Sequence, residues 1–335
     1  MRFVHWTVDE SCDGMPLWFV LERRLGVSDI GVRRAKRVPG AITLDGAPTR
    51  TNIDVRAGQT VGIAIDDETL GTAGVEGAQG IPGAGGVEPQ AGPLGIVYED
   101  EDIVVLDKPA DLVVHPCSGR RDGTLGNFLL GHFRATGRGC GLHPVHRLDQ
   151  GTTGLIVFAT SGYAQARLQA QLERGEFSRT YLAVCTGELG NAGFGDDNGD
   201  NGDTGGAPFA TIEAPIGRVG YGPLSWAVDE QGKRAVTHYR VLGEASSAEG
   251  PLSLAELWLE TGRTHQIRVH MTHIGHPLLG DAAYGRPSAL IGRAALHSWR
   301  LRLTQPVTGE PIELEAPLPE DMAGLMDGWE RGRNA

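Results

Sequence analysis

Arg147 and Asp149 stand two residues apart in His146-Arg147-Leu148-Asp149-Gln150-Gly151-Thr152-Thr153-Gly154, directly ahead of the apolar run Leu155-Ile156-Val157-Phe158-Ala159. A short unbroken run with β-branched and aromatic members predicts a strand buried on both faces. The pair therefore lies on a glycine-punctuated loop held by a rigid strand, where reactive side chains tend to sit. The bland alternative is a loop ion pair. A second polar cluster falls in Glu260-Thr261-Gly262-Arg263-Thr264-His265-Gln266-Ile267-Arg268-Val269-His270-Met271. On a helix beginning near Thr264, Ile267, Met271 and Ile274 form the core-facing stripe and leave His265, Arg268 and Thr272 on another face. Arg268 is thus an arginine in a packed element aimed at one partner. Tyr181, in Arg179-Thr180-Tyr181-Leu182-Ala183-Val184, shares one face of a predicted strand with Ala183; its bland alternative is a core tyrosine.

The remaining elements must position these residues. Leu17–Leu25 reads as a helix stopped by Gly26, and a second helix runs from Ser28 as N-cap through Lys36. Ala41–Leu44, the turn Asp45-Gly46 and Val61–Ile65 read as short strands. Residues 71–93 are glycine-, alanine- and proline-rich and too poor in large apolar groups to order themselves, which predicts a flexible linker at a domain boundary. Gly83, Gly85 and Gly86 neither follow a strand nor open a helix, so a phosphate loop is rejected. Ile96–Tyr98 and Ile103–Leu106 read as a hairpin, Gly123–Phe133 as a helix, and Ser161 as the cap of a helix closed by Gly175. Residues 190–208 are almost wholly Gly, Asp and Asn. Counted from Asp196, the sixth and twelfth positions of a calcium loop would hold Asn201 and Ala207, so a disordered acidic insertion is expected instead. Ala235–Val241 and Leu252–Leu259 supply further strands.

At 335 residues, 21% of them charged and 40% hydrophobic, the chain suffices for two domains. No apolar run approaches the ~20 residues of a membrane span, and an N-terminus without an apolar signal core predicts a cytoplasmic protein. Cys12, Cys117, Cys140 and Cys185 form no Cys-x-x-Cys pair and are expected to be buried thiols. The net charge of −12 argues at first against a nucleic-acid partner. Distribution matters more than the sum. The acids gather in segments expected to be peripheral (Asp66–Glu68, Glu99–Asp102, Asp196–Asp203, Glu310–Asp321), whereas basic residues gather at Arg33, Arg34, Lys36 and Arg37 and at Arg120 and Arg121.

Two helices, the second basic, followed by G-x-I-x-L-D-G and V-x-A-G-Q-x-V, resemble the S4 RNA-binding module over residues 1–70; a generic small α+β domain is the bland alternative. Residues 95–317 resemble the RluA-type family of pseudouridine synthases through DKPADLVVHP, HRLDQGTTGLIVFA, RTYLAV, TGRTHQIRVHM, GHPLLGD and LHSWRL in that order. Asp111 stands where the family usually has glycine and Thr153 where serine is common. The resemblance implies an α+β catalytic domain (94–319) around a long, mostly antiparallel mixed sheet, with RNA bound across its middle and a C-terminal tail at 320–335. It matches Asp149 to the catalytic aspartate, Tyr181 and Arg268 to the other catalytic positions, and Arg147 to an arginine that fills the gap left by an extruded base. His146, Thr153, Gly154, Arg263 and His265 are the remaining candidate substrate contacts, and Arg33, Arg34, Lys36 and Arg37 the candidate RNA contacts of the first module.

The implied reaction converts uridine to pseudouridine without redox change or hydrolysis, so it requires an ionised carboxylate and no cofactor. Burial would leave that carboxyl protonated; an arginine in contact counters it. Arg268 is the expected partner, within ~6 Å. The expected partner molecule is RNA, ribosomal being favoured by the S4-like module with transfer RNA open, and the enzyme is expected to be a monomer. A metal-dependent hydrolase is the main rival, from His265, His270, His273, His276 and Asp281, although only His270 and His273 share a helix face and the spacing is not His-x-x-x-His. An RNA-binding protein without catalysis is the second.

Overall fold

The computed structural model describes residues 1–67, 87–116, 120–139, 141–189, 209–220, 225–326 and 330–331. The Gly83–Gly86 patch, the 190–208 insertion, Cys117 and Cys140 lie outside these residues, while Cys12 and Cys185 are buried free thiols. The N-terminal unit runs β1 (Phe3–Thr7), α1 (Leu17–Arg23), α2 (Asp29–Ala35), β2 (Ile42–Leu44), β3 (Ala47–Pro48) and β4 (Thr60–Ala64). Its helices obey local signals. Gly26 takes a φ of 69° just past α1, and the Ser28 hydroxyl accepts from the Gly31 amide at 3.2 Å to cap α2. Asp45 and Gly46, at φ 50° and 79°, form the left-handed pair that a tight β2–β3 hairpin requires. The sheet order is β1-β4-β2-β3. Leu17, Val20, Leu21, Val32, Val61 and Ile63 close its own core. β1 carries little apolar period, only Val4 of its five residues being buried, which is why sequence reasoning passes over it.

The larger unit runs β5 (Gly95–Glu99), β6 (Ile103–Lys108), α3 (Leu125–Ala135), β7 (His143–Pro144), β8 (Thr153–Ala159), α4 (Gly162–Glu173), β9 (Ser178–Thr186), β10 (Ala210–Glu213), β11 (Ile216–Arg218), β12 (Trp226–Val228), β13 (Val236–Ser247), β14 (Gly250–Leu259), α5 (Gln266–His273), β15 (Leu296–Thr304), β16 (Pro311–Glu315), α6 (Glu320–Ala323) and β17 (Glu330–Arg331). Its main sheet has the order β10-β13-β14-β9-β15-β8-β6-β5, with β16 on β15, β17 on β13 and β7 on β8. The β8–β15 pairing is parallel and the neighbours are antiparallel, so this is an α+β fold on a mixed sheet. β8 is buried along its whole length. Ile156 and Phe158 enter a core shared with Leu125, Leu129 and Phe133 of α3 and with Ile267 and Met271 of α5. Leu155 and Val157 enter another, shared with Ala164 and Leu168 of α4. Each such side chain contributes about 1.5–3 kcal/mol on burial, so the strand that carries the Asp149 loop is fixed from both faces.

Three expectations are corrected. The final residues of the expected linker, 87–93, are ordered against α3: Val87 is buried, the Asn127 amide donates to the Glu88 carbonyl at 2.9 Å, and Asn127 O accepts from the Gln90 amide at 2.9 Å. One buried valine and two hydrogen bonds to Asn127 suffice where composition suggested none would. Two acidic segments expected at the periphery contribute buried carboxylates. Asp102 takes the Arg2 guanidinium at 2.5 and 2.7 Å, and Asp67 meets His143 Nε2 at 2.5 Å, each joining the N-terminal unit to the larger one. The expected tail opens with α6, whose Met322 packs with Val184, Leu252 and Leu279.

Gly154 takes φ 100°, and a Cβ there would lie 2.2 Å from the Ser298 carbonyl oxygen across the parallel pairing. Gly154→Ala is therefore expected to cost more than about 2 kcal/mol, read as a lowered urea midpoint; an unchanged midpoint would refute this close packing.

Candidate active site

Asp149 lies on the loop between β7 and β8, and cations hold the backbone on its C-terminal side. Lys108, at the end of β6 and fully buried, donates to the carbonyls of Pro109 (2.9 Å), Leu112 (2.9 Å) and Gln150 (3.0 Å). Arg293 donates to the Gly151 carbonyl at 3.1 Å. Burial pushes the Lys108 ammonium down to about 8, with the Asp149 charge opposing and Arg293 adding to the fall. Leu148 is buried, which turns the neighbouring Asp149 carboxylate outward to partial exposure.

The second wall is the start of α5. The Gln266 side chain fixes it, accepting from the Arg263 amide (2.9 Å) and the Thr261 hydroxyl (2.8 Å) while donating to the Val236 carbonyl (2.9 Å). His265, just before the helix, sits in the left-handed region at φ 56°, a conformation uncommon outside glycine. Arg268 places Nε and one terminal nitrogen on Asp281, both at 2.7 Å, and turns its other terminal nitrogen to Asp149 Oδ2 at 3.4 Å. Burial alone would raise the Asp281 carboxyl; Arg268 and the amides of Ala283 and Tyr284 hold it below the ordinary carboxylate range instead. Tyr284 lies under the guanidinium, ring centroid to Cζ 5.0 Å, and its hydroxyl meets His265 Nδ1 at 2.7 Å. His265 Nε2 is 3.8 Å from Asp149 Oδ2; burial lowers this imidazole against the pull of Asp149, with Arg268 and Arg147 reinforcing the fall.

Asp149, Arg268, His265, Tyr181, Arg147, His146 and Arg263 all line one cavity of about 890 Å³, ample for a nucleoside. Tyr181 projects from β9, opposite Ser298 of β15, which pairs in turn with Gly154 of β8; one row of three strands thus relates the tyrosine to the Asp149 loop. Burial raises the Tyr181 phenol, so it is neutral at pH 7. Arg147 is exposed and, among the described residues, its side chain has no hydrogen-bond or ion-pair partner. His146 accepts from the Val157 amide at 3.2 Å and is pushed down to about 3 by burial, then by Arg179, so it lines the cavity as a neutral ring. Arg263 spends its Nε on the Arg234 carbonyl at 2.9 Å.

Thr153 and Gly154 do not line the cavity. Both are buried in β8, where the Thr153 hydroxyl meets His297 Nδ1 at 2.9 Å and Gly154 makes the close approach to β15. Their nearness to Asp149 in sequence is lost because the Thr153 hydroxyl turns to His297 and Gly154 presses its backbone on Ser298. Arg33, Arg34, Lys36 and Arg37 lie on and just beyond α2, outside the lining of this cavity, and Arg33 is paired with Asp29 at 2.6 Å. The rival histidine cluster is dispersed: both nitrogens of buried His270 are taken, by Thr237 and the Ala214 carbonyl, at 2.9 Å each. Among the described residues no group of three or more His, Cys, Asp or Glu is placed to hold a metal ion.

Sequence reasoning missed Lys108, Tyr284 and Arg179, and weighed Asp281 only as a metal ligand. All four lie inside or just after recognised strings, but the strings do not say which groups they contact. Arg179, the first residue of RTYLAV and buried in the cavity wall, has no partner for its Nε among the described residues. The whole arrangement sets one carboxylate beside a guanidinium at the mouth of a cavity that offers an aromatic face, a phenol and cationic donors.

Known proteins place this architecture. Residues 102–273, which carry both Asp149 and Arg268, match the family model of RNA pseudouridylate synthases, and the chain belongs to that family of RNA-modifying isomerases. It is 43% identical over 254 residues to ribosomal large subunit pseudouridine synthase D of Escherichia coli K12, covering 72% of each chain. To the protein of that name from Pseudomonas aeruginosa it is 40% identical over 310 residues, 88% of this chain and 86% of the other. Human RNA pseudouridylate synthase domain containing 1 shares the fold at a TM-score of 0.53 and 27% identity, over 74% of this chain and 90% of that one.

The lowered Lys108 pKa makes a stability prediction. The folded state releases the proton near 8 and the unfolded chain near its ordinary value of about 10.4, so the unfolded state binds more protons between them. The penalty for burying the charge is fully present below pH 8 and fades as pH rises toward 10. Wild type should therefore gain stability relative to Lys108→Met across that window; parallel urea-midpoint curves would contradict it.

Proposed function

We propose that this enzyme isomerises specific uridines of large-subunit ribosomal RNA, with Asp149 as the reacting carboxylate. The observation that carries the reading is the Asp149–Arg268 contact at the mouth of a nucleoside-sized cavity walled by Tyr181. The C1′–N1 bond breaks, a C1′–C5 bond forms, and the proton lost from C5 is balanced by one gained at N1. Electrons and atoms balance within the nucleoside, so no cofactor enters. Asp149 acts at C1′ or at the base, with the Arg268 guanidinium beside it. Tyr181 stacks on the uracil, and its hydroxyl is the group available to handle the C5 proton. Extruding the uridine costs a few kcal/mol, least in a loop or bulge, and Arg147, exposed beside Asp149 and unpaired among the described residues, occupies the vacated space.

The relatives named for the large ribosomal subunit favour ribosomal RNA, and the S4-like N-terminal unit adds a second basic contact at Arg34, Lys36 and Arg37. With that substrate the enzyme works in the cytoplasm. A monomer suffices, since one chain supplies every site residue. Among the described residues no helix is long and apolar enough to cross a membrane.

Asp149→Asn should abolish tritium release from [5-³H]uridine-labelled RNA while leaving RNA affinity within about tenfold; turnover near wild type would remove Asp149 from the chemistry. Mapping pseudouridine in total RNA from cells with and without the gene should find the lost sites in large-subunit ribosomal RNA. Sites lost from transfer RNA would redirect the substrate assignment. Replacing Arg34, Lys36 and Arg37 together by alanine should weaken RNA binding and flatten its log-affinity against log-salt slope by up to about 2, with kcat preserved; an unaltered slope would show that α2 does not touch RNA.

A further inference from the structure

A second cavity, of about 990 Å³, adjoins the first and meets it at Arg147, Asp149, His265 and Arg268. The reaction proposed above uses only the first. The second is lined on its outer side by Trp226 and Arg218, which oppose each other in register on the β11–β12 hairpin. Directly opposed residues project from the same face of a two-stranded ribbon, so an indole and a guanidinium stand together at this wall. Arg218 is steadied by donation from Nε to the Ser225 hydroxyl at 3.2 Å.

The hairpin is tied to the reacting carboxylate. Trp226 packs on Ile216, Ala235 and Val269. Tyr284 packs against the same cluster; its hydroxyl meets His265 Nδ1 at 2.7 Å, and His265 Nε2 lies 3.8 Å from Asp149. The aromatic platform is therefore held at a set distance from the site of chemistry. An aromatic face beside a cation is what a splayed-out ribonucleotide requires, the ring for its base and the charge for its phosphate.

Resting on the reading that the target uracil enters the first cavity against Tyr181, we infer that the second cavity binds the ribonucleotide adjoining the target uridine, its base stacked on Trp226 and its phosphate facing Arg218. The two cavities meet beside Asp149, so a strand whose uridine fills one must cross Arg147 to leave through the other. A neighbour locked in a base pair cannot stack on Trp226. The subsite thereby selects uridines whose neighbour on that side is unpaired or can be freed.

The test uses RNA hairpins carrying the uridine identified by pseudouridine mapping, with the nucleotide on its 5′ side, then on its 3′ side, made abasic. Trp226→Ala should raise KM for the intact hairpin about tenfold, with kcat changed less than about threefold, and Trp226→Phe should stay within about threefold of wild type. One of the two abasic hairpins should raise the wild-type KM by the same factor and add nothing in Trp226→Ala. In binding titrations, 2-aminopurine at that position should be quenched by wild type and by Trp226→Phe and not by Trp226→Ala. An unchanged KM in Trp226→Ala, or a defect that persists undiminished on both abasic hairpins, overturns the subsite and leaves the proposed reaction standing. A wild type that releases no tritium from the intact hairpin overturns both.

Discussion

The site depends on how one guanidinium is divided between two carboxylates. An arginine facing a single carboxylate tends to engage both of its oxygens through two parallel hydrogen bonds. Here Asp281 takes that bidentate edge, and Asp149 receives only the remaining nitrogen at 3.4 Å. Asp149 thus keeps the field of the cation while its oxygens remain available to a substrate. At roughly 4 Å and an effective dielectric near 20, the attraction between two unit charges is about 4 kcal/mol. Asp281 can act as anchor because the Ala283 and Tyr284 amides share its charge. As a contribution to stability such a buried pair is roughly neutral. What it supplies is orientation.

Orientation is useful only if the loop bearing Asp149 is equally fixed. Two cations stabilise that loop through its carbonyls: Lys108 at Gln150 and Arg293 at Gly151. Neither touches the Asp149 carboxylate among the contacts described, and each supplies donors to backbone oxygens that burial would otherwise leave unsatisfied. Gly154 brings β15 close enough for Ser298 to lie between the Asp149 loop and Tyr181. The reacting groups come from a loop, a strand and a helix: β8, β15 and β9 relate the loop to Tyr181, and Gln266 fixes the helix to β13, so each is held to the sheet as positional precision demands.

These dependencies mark where the sequence was legible. β8, α4 and the Ile267–Met271 stripe were readable because their apolar period and caps lie within a dozen residues. The Asp149–Arg268 contact spans 119 residues and came from motif resemblance combined with helix-face reasoning. Asp281 was weighed as a metal ligand because a carboxylate near histidines looks alike in sequence whether its partner is a metal or a guanidinium. Thr153 and Gly154 were grouped with Asp149 by adjacency, whereas a contact with His297 and a backbone contact with Ser298 bury them. Nothing local to Asp67 or Asp102 signals that their partners are His143 and Arg2.

Those last pairs bear on how the two units act together. Asp67 and His143 are nearly fully buried, Arg2 spans to Asp102, and the Tyr163 hydroxyl donates to the Leu25 carbonyl at 2.9 Å. A module on a free tether would hold its basic helix at an effective concentration set by tether length, and each RNA would bear the entropy of orienting it. With these contacts made within the chain, α2 and the cavity keep one relative orientation, so that entropy is spent on folding. An RNA that touches both must then match a fixed spacing, and discrimination by shape follows even where no base is read. Burial also means that removing the Asp67 carboxylate leaves the His143 ring and the Gly162 amide without this acceptor, so the relation between the units is sensitive to single residues far from Asp149.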